Sequence, residues 1–238
     1  MEEVMKTIGI LGGMSWESTL EYYRVINEEV KSRLGGFHSA RILLYSFNFA
    51  EIEALQHQGR WSEMGHLLSE TARKLEQAGA DFILIATNTM HKLAPMVEAA
   101  LSVPLLHIVD ATAEAIIKAG FTRVGLLGTR FTMEEDFYRQ RLIEKYKINV
   151  LIPTPDQRDL IHQVIFRELV MGEIKEKSRL NFIRIINDLK TAGAQGIILG
   201  CTEIPLLIKP EHSPLPLFDT IAIHARRAVE WALQDESS

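Results

Sequence analysis

The same short pattern occurs twice along this chain, and a duplicated pattern leaves few folds to choose from. A glycine-rich turn at Gly9-Ile10-Leu11-Gly12-Gly13 returns as Gly125-Leu126-Leu127-Gly128-Thr129. Each turn is followed, after a similar interval, by an apolar run that ends in a small polar triplet. The first run is Phe82-Ile83-Leu84-Ile85-Ala86, leading to Thr87-Asn88-Thr89. The second is Ile197-Ile198-Leu199-Gly200, leading to Cys201-Thr202-Glu203. Short, uninterrupted apolar runs read as strands buried on both faces, which occur in parallel sheets.

The intervening segments have helical spacing. In the first half, strands are expected at 7–11, 41–46, 82–86 and 104–108. Helices are expected at about 15–34, 62–78 and 90–101, and the stretch Asn48 to Gln56 reads as a loop. Leu20, Tyr23, Ile26, Val30 and Leu34 set the buried stripe of the first helix, with Ser15 as its N-cap and Gly35-Gly36 as its stop. In the second half, strands are expected at 123–127, 149–152, 196–200 and 215–219. Helices fall at about 111–119, from Thr132, at 156–171, 176–192 and 220–234. Thr132-Met133-Glu134-Glu135 reads as a capping box. Strands alternating with helices imply parallel sheets covered on both faces. The expectation is α/β: two similar parallel-sheet domains, residues 1–110 with 211–238 and residues 111–210. Ligands of such sheets bind beyond the carboxyl ends of the strands, where both triplets fall.

Composition narrows the partners. The 238 residues are 47% hydrophobic and 24% charged, ordinary values for a globular protein with a sizeable core. A net charge of −5 argues against nucleic acid as a partner. No apolar run is long enough to span a membrane, and Met1 to Lys6 lacks the pattern of a signal peptide. Cys201 is the one cysteine, so no internal disulfide is possible and the fold suits a reducing compartment.

The motifs carry more. Gly9-x-x-Gly12-Gly13 is neither the dinucleotide fingerprint nor a P-loop, and reads as a turn that lets backbone approach a small ligand. Each triplet lies between a strand end and a helix start, where unpaired N–H groups can hold a carboxylate. Asn88, Thr89 and Thr202 are the side chains placed to help; capping alone is the plainer use of such residues. A thiol before a helix start is expected to favour thiolate, so Cys201 is a candidate acid–base group. Thr87 holds the corresponding place in the first half, and its hydroxyl is a poor base without help from a neighbour or a bound carboxylate. The eight histidines show no zinc spacing. His224 reads as structural, and Trp16 and Trp61 as packing residues.

These residues resemble the aspartate/glutamate racemase family nearly end to end. The carriers are Ile8-Gly9-Ile10-Leu11-Gly12-Gly13-Met14-Ser15, Thr87-Asn88-Thr89-Met90-His91, Gly200-Cys201-Thr202-Glu203-Ile204 and Phe218-Asp219-Thr220 with His224. The resemblance implies two α/β domains related by pseudo-two-fold symmetry with a substrate cleft between them, a cytoplasmic homodimer, an amino-acid substrate and no cofactor or metal. It implies Thr87 and Cys201 as the catalytic pair. Met14, Gln56, Asn88, Thr89, Thr129, Thr132 and Thr202 would contact substrate, with Glu203 and Glu168 in support. Two departures stand out. The family's first cysteine is here Thr87, as in its Thr/Cys subgroup. The arginine and lysine expected of aspartate-specific members are replaced by Asn48 to Gln56 and by Val170-Met171-Gly172, leaving Arg130 and Arg158 as alternative cations. Two other readings remain open: another reaction of the superfamily, of the hydantoin racemase or maleate isomerase type, or a non-catalytic amino-acid binder.

Overall fold

A computed structural model describes residues 5–233. Residues 1–4, part of the stretch read as lacking a leader, and residue 234, the expected end of the last helix, lie outside the described residues.

The chain forms two compact units. One comprises the residues up to Ile108 and those from Ile221 on; the other is Val109–Thr220. The first contains β1 (Ile8–Gly12), α1 (Trp16–Leu34), β2 (Ile42–Ser46), α2 (Phe49–His57), α3 (Trp61–Gln77), β3 (Phe82–Ile85), α4 (Ala94–Glu98) and β4 (Leu105–Leu106). Helix α5 (Ile108–Lys118) opens the second, followed by β5 (Arg123–Gly128), α6 (Arg130–Glu134), α7 (Asp136–Gln140) and β6 (Asn149–Leu151). Then come α8 (Pro155–Arg167), α9 (Glu176–Thr191), β7 (Gly196–Gly200), α10 (Ile204–Leu207) and β8 (Leu217–Asp219). Helix α11 (Thr220–Ala232) ends the described chain in the first unit. The expected boundary at 211 moves to 221, because β8 pairs with β7 and so belongs to the second sheet.

The two sheets have one topology. Their strand orders are β2-β1-β3-β4 and β6-β5-β7-β8, and every pairing is parallel. Alternation along the strands feeds both faces. In the first unit Ile8, Ile10, Phe82 and Leu84 join one cluster with Tyr22, Val25, Ile26 and Val30 of α1 and Ala225, Ala228 and Val229 of α11. Leu11, Ile83 and Ile85 join the opposite cluster with Leu68, Ala72 and Leu75 of α3 and Ala94 and Val97 of α4. Each fully buried Val, Leu, Ile or Phe side chain among them contributes about 1.5–3 kcal/mol. The two glycines that open the duplicated turns have matching packing. A Cβ on Gly9 would overlap Ile83 and lie 2.9 Å from the Ala80 Cβ; on Gly125 it would lie 2.7 Å from the Ile197 Cδ1 and 2.9 Å from the Leu189 Cδ1 of α9.

Some expectations are corrected. Ser15 does cap α1, accepting from the Ser18 N–H at 3.4 Å, and Gly35 does end it. The buried stripe of α1, however, runs through Tyr22, Val25, Ile26 and Val30, while Leu20 and Tyr23 are more than half exposed. Trp16 is 63% exposed rather than packed. The stretch after β2 is the helix α2, capped by Asn48, and not a loop. The helix expected from Thr132 begins at Arg130, because Thr129 is the cap. Its Oγ1 accepts from the Thr132 N–H at 3.4 Å, while the Thr132 side chain is buried against Gly128 and Gly200. That helix breaks at Glu135, which is extended.

Candidate active site

The register of each sheet delivers its triplet to one edge. Ile85 of β3 pairs with Leu11, and Leu199 of β7 pairs with Leu127, the matching residue of the duplicated turn. Thr87 and Cys201 each stand two residues beyond that pair, just past the carboxyl end of the strand that neighbours the glycine turn. The two triplets are therefore equivalent by ladder position, as well as by sequence interval.

The first unit carries five of the expected residues. Thr87 is half-buried, and Asn88 and Thr89 are buried at the start of a 3-10 turn, Thr89–Leu93. Met14 is buried in the same cluster as Met90 and Ile52 of α2. Gln56, half-buried, lies one helical turn beyond Ile52. The freedom of Gly13, whose φ is +82°, serves the chain itself. Its N–H donates to the Thr19 Oγ1 at 2.7 Å, and its Cα faces the Phe47 backbone so closely that no Cβ would fit.

In the second unit Thr129 and Thr132 follow β5, buried, with their hydroxyls 3.2 Å apart. Thr132 packs against Gly200, which precedes Cys201. Thr202 and Glu203 are half-buried beside the thiol. The Cys201 Sγ–H donates to the Glu203 Oε2 at 2.9 Å. Desolvation pushes the Cys201 thiol well above its ordinary pKa, and the Glu203 charge and this hydrogen bond push the same way. The expected preference for thiolate is thus reversed. The helix that was to supply the positive dipole, α10, has only four residues, and a carboxylate stands closer. Glu168, at the end of α8, accepts from the Ser178 hydroxyl at 2.6 Å and lies 3.6 Å from the Lys175 ammonium, ties to α9 and the segment before it.

Both alternative cations are engaged in the second unit. Arg130 is bound to Asp159 through two nitrogens. Arg158 donates to Glu134 at 2.7 Å and to the Pro153 carbonyl at 2.7 Å.

Sequence reading missed a buried cluster below Thr87. His91 accepts the Ile108 N–H on Nε2 at 3.1 Å and bonds the Thr87 carbonyl through Nδ1 at 2.8 Å. Its ring lies 4.5 Å from that of His107 and 5.9 Å from that of His224. His224, structural as expected, joins the Tyr22 hydroxyl at 2.8 Å to the Leu106 carbonyl at 2.9 Å. The available signal was the four-residue spacing from Thr87 to His91.

The family model for Asp/Glu/Hydantoin racemase matches residues 11–228. The chain is 26% identical over 242 residues to the broad specificity amino-acid racemase of Bacillus subtilis (strain 168), covering 97% of this chain and all of that one. Among solved structures, a chain from Yersinia pestis proposed to be an Asp/Glu racemase superposes with a TM-score of 0.93 at 53% identity. An aspartate racemase homologue from Pyrococcus horikoshii OT3 gives 0.86 at 37% identity. Each covers 97% of this chain and 100% of the other.

Proposed function

We propose, from the premise that this chain belongs to the Asp/Glu/Hydantoin racemase family and is an amino-acid racemase, that it inverts acidic and uncharged polar amino acids by cofactor-independent two-base proton transfer. The observation that carries the reading is the equivalent ladder position of Thr87 and Cys201, one per unit. Inversion at carbon needs one proton-handling group on each face of the α-carbon, and these are the two groups.

The chemistry is asymmetric. Cys201 rests as a thiol held by Glu203, so it is ready to give a proton to the α-carbon. In the reverse direction the thiol first passes its proton to Glu203 and then takes the α-proton as thiolate. Thr87 serves the other face, helped by the bound carboxylate, because a free hydroxyl is too weak an acid to ionise alone. Backbone N–H groups after β3 and β7, with Asn88, Thr89 and Thr202, hold the α-carboxylate, and Met14, Thr129 and Thr132 are further substrate contacts. Glu168 supports this edge from the end of α8.

The breadth of substrate rests on charge. A buried side-chain carboxylate without a partner is costly. Neither Arg130 nor Arg158 is available to provide one without breaking its own ion pair. Gln56 offers a carboxamide, which suits charged and uncharged polar side chains alike. The test is a panel of L- and D-amino acids in deuterium oxide, with each α-proton followed by NMR. At least one uncharged amino acid, such as homoserine or glutamine, is expected within about tenfold of the best acidic one in kcat/KM, roughly 1.4 kcal/mol of discrimination. Turnover of acidic substrates alone would reveal a cation and overturn the breadth. No α-proton exchange on any member would overturn the function.

The same reading takes the enzyme as cytoplasmic, where a lone cysteine stays reduced, and as a homodimer. The exposed Trp16, Leu20 and Tyr23 on one face of α1, and the half-exposed Leu44 and Tyr45 on the edge strand β2, support pairing with a second copy. Sedimentation velocity reads that directly.

A further inference from the structure

Thr87 is the weaker of the two proton-handling groups, and it sits on backbone that no sheet ladder holds. The last bond to the neighbouring strand is that of the Ala86 N–H to the Leu11 carbonyl at 2.9 Å, and the 3-10 turn begins only at Thr89. One side chain reaches across this gap. His91, 1% exposed, bonds the Thr87 carbonyl through Nδ1 and the Ile108 N–H through Nε2. Both partners are backbone groups with one possible role. An amide N–H can only donate, so Nε2 accepts; a carbonyl can only accept, so Nδ1 carries the proton and donates. The ring is therefore neutral and fixed in one tautomer. Two further rings pack beside it, His107 at 4.5 Å and His224 at 5.9 Å between centroids, and His224 is itself pinned between Tyr22 and Leu106. Ile108 is the residue at which the chain leaves the first unit.

We propose that His91 is a positioning residue for Thr87. The Nδ1–H holds the Thr87 carbonyl and thereby aims the Thr87 hydroxyl, while Nε2 ties the imidazole to the Ile108 peptide. A proton-transfer group that is misplaced by about 1 Å loses on the order of a hundredfold in rate, so a weakly acidic hydroxyl on unladdered backbone depends on such a hold. The inference rests on the reading of Thr87 as one of the two proton-transfer groups.

Two substitutions divide the imidazole. In His91→Asn the side-chain amide nitrogen takes the place of Nδ1 and can still donate to the Thr87 carbonyl. In His91→Gln the side-chain oxygen takes the place of Nε2, so the Ile108 N–H keeps its acceptor and the Thr87 carbonyl loses its donor. The readout is exchange of the α-proton with retention of configuration in deuterium oxide, measured separately from each pure enantiomer, because each group exchanges the proton on its own face, whereas interconversion needs both groups and its two kcat/KM values are bound to be equal. His91→Asn should stay within about threefold of the unsubstituted protein. His91→Gln should lose roughly tenfold or more in exchange from the enantiomer that Thr87 deprotonates, with exchange from the other enantiomer and KM within about threefold. Equal losses on both enantiomers would mark a merely structural residue and overturn the proposal, as would an unimpaired His91→Gln or a His91→Asn as poor as His91→Gln. Nitrogen NMR of the histidine rings in the unsubstituted protein is the second measurement, independent of turnover. It should show His91 neutral and protonated on Nδ1, and a ring protonated on Nε2 would overturn the hold itself. An unsubstituted protein that exchanges nothing, with His91 in the expected tautomer, would place the failure in the assignment of function rather than in the hold.

Discussion

The sulfur of Cys201 and the carboxylate of Glu203 form the most consequential pair of single residues. A negative charge beside a thiol disfavours the thiolate, so removing that charge lowers the thiol pKa. Because Cys201 is the only cysteine, thiolate absorbance in the ultraviolet reports it alone. Glu203→Gln should move that titration to lower pH and carry with it the rising limb of the pH–rate profile for the direction that needs thiolate. A titration that stays in place would mean the carboxylate does not sense the sulfur. Cys201→Ser should keep the circular dichroism spectrum and lower kcat by roughly 10²–10⁴-fold, the usual worth of a positioned acid–base group. Thr87→Cys tests the other face. The equilibrium between enantiomers fixes the ratio of the two kcat/KM values at one, but leaves the two kcat values free to differ. A second thiol makes the pair chemically alike, and the two kcat values should approach each other. A wider gap would remove Thr87 from the α-carbon.

At the scale of elements, sequence pattern gives the strands well and the helices less evenly. Parallel strands buried on both faces must be continuously apolar, so β1, β3, β5 and β7 are visible as runs, and the triplets at their ends are visible because they are duplicated. The face of α1 is less legible, since Leu20 and Tyr23 follow helical spacing yet point to solvent. Helix α2 was missed although Asn48 and Glu51 announce it. The Asn48 side chain accepts from the Ala50 N–H at 3.3 Å and donates to Glu51 at 3.0 Å. The hold on Thr87 and the acidity of Cys201 were illegible for a different reason. Each depends on where one side chain points, and no spacing rule fixes that. The turn between β1 and α1 allows a direct test of what its glycine is for. Gly13 and Gly172 both have positive φ, but only Gly13 faces backbone, while a Cβ on Gly172, which is left-handed at φ 75° and ψ 10°, would meet nothing within 4 Å. Gly172→Ala should cost about 1 kcal/mol, the conformational share alone. Gly13→Ala should cost roughly 2–4 kcal/mol once overpacking is added, read from urea unfolding midpoints. Equal costs would mean the Phe47 segment yields.

At the scale of the molecule, the chain repeats one sheet topology twice, and its family membership extends from residue 11 to residue 228. The two copies differ in how their parts are strung along the sequence. All four strands of the second unit, with the helices between them, lie in the single stretch Val109–Thr220. The first unit is split around it. Ile221, Ala225, Ala228 and Val229 of α11 complete the cluster formed by Ile8, Tyr22 and Phe82. This sets an order of events during synthesis. The ribosome delivers everything the inserted unit requires before it delivers the helix that closes the earlier one, and a domain folds as soon as its parts are present. A fragment spanning Val109–Thr220 should therefore unfold cooperatively by itself, whereas a chain stopped at Thr220 should bind a hydrophobic dye through the uncovered sheet face. Absence of cooperative unfolding in the fragment would mean the two units mature together. In the nascent chain, the part made first is the part finished last, and one apolar face of its sheet stays uncovered until α11 emerges.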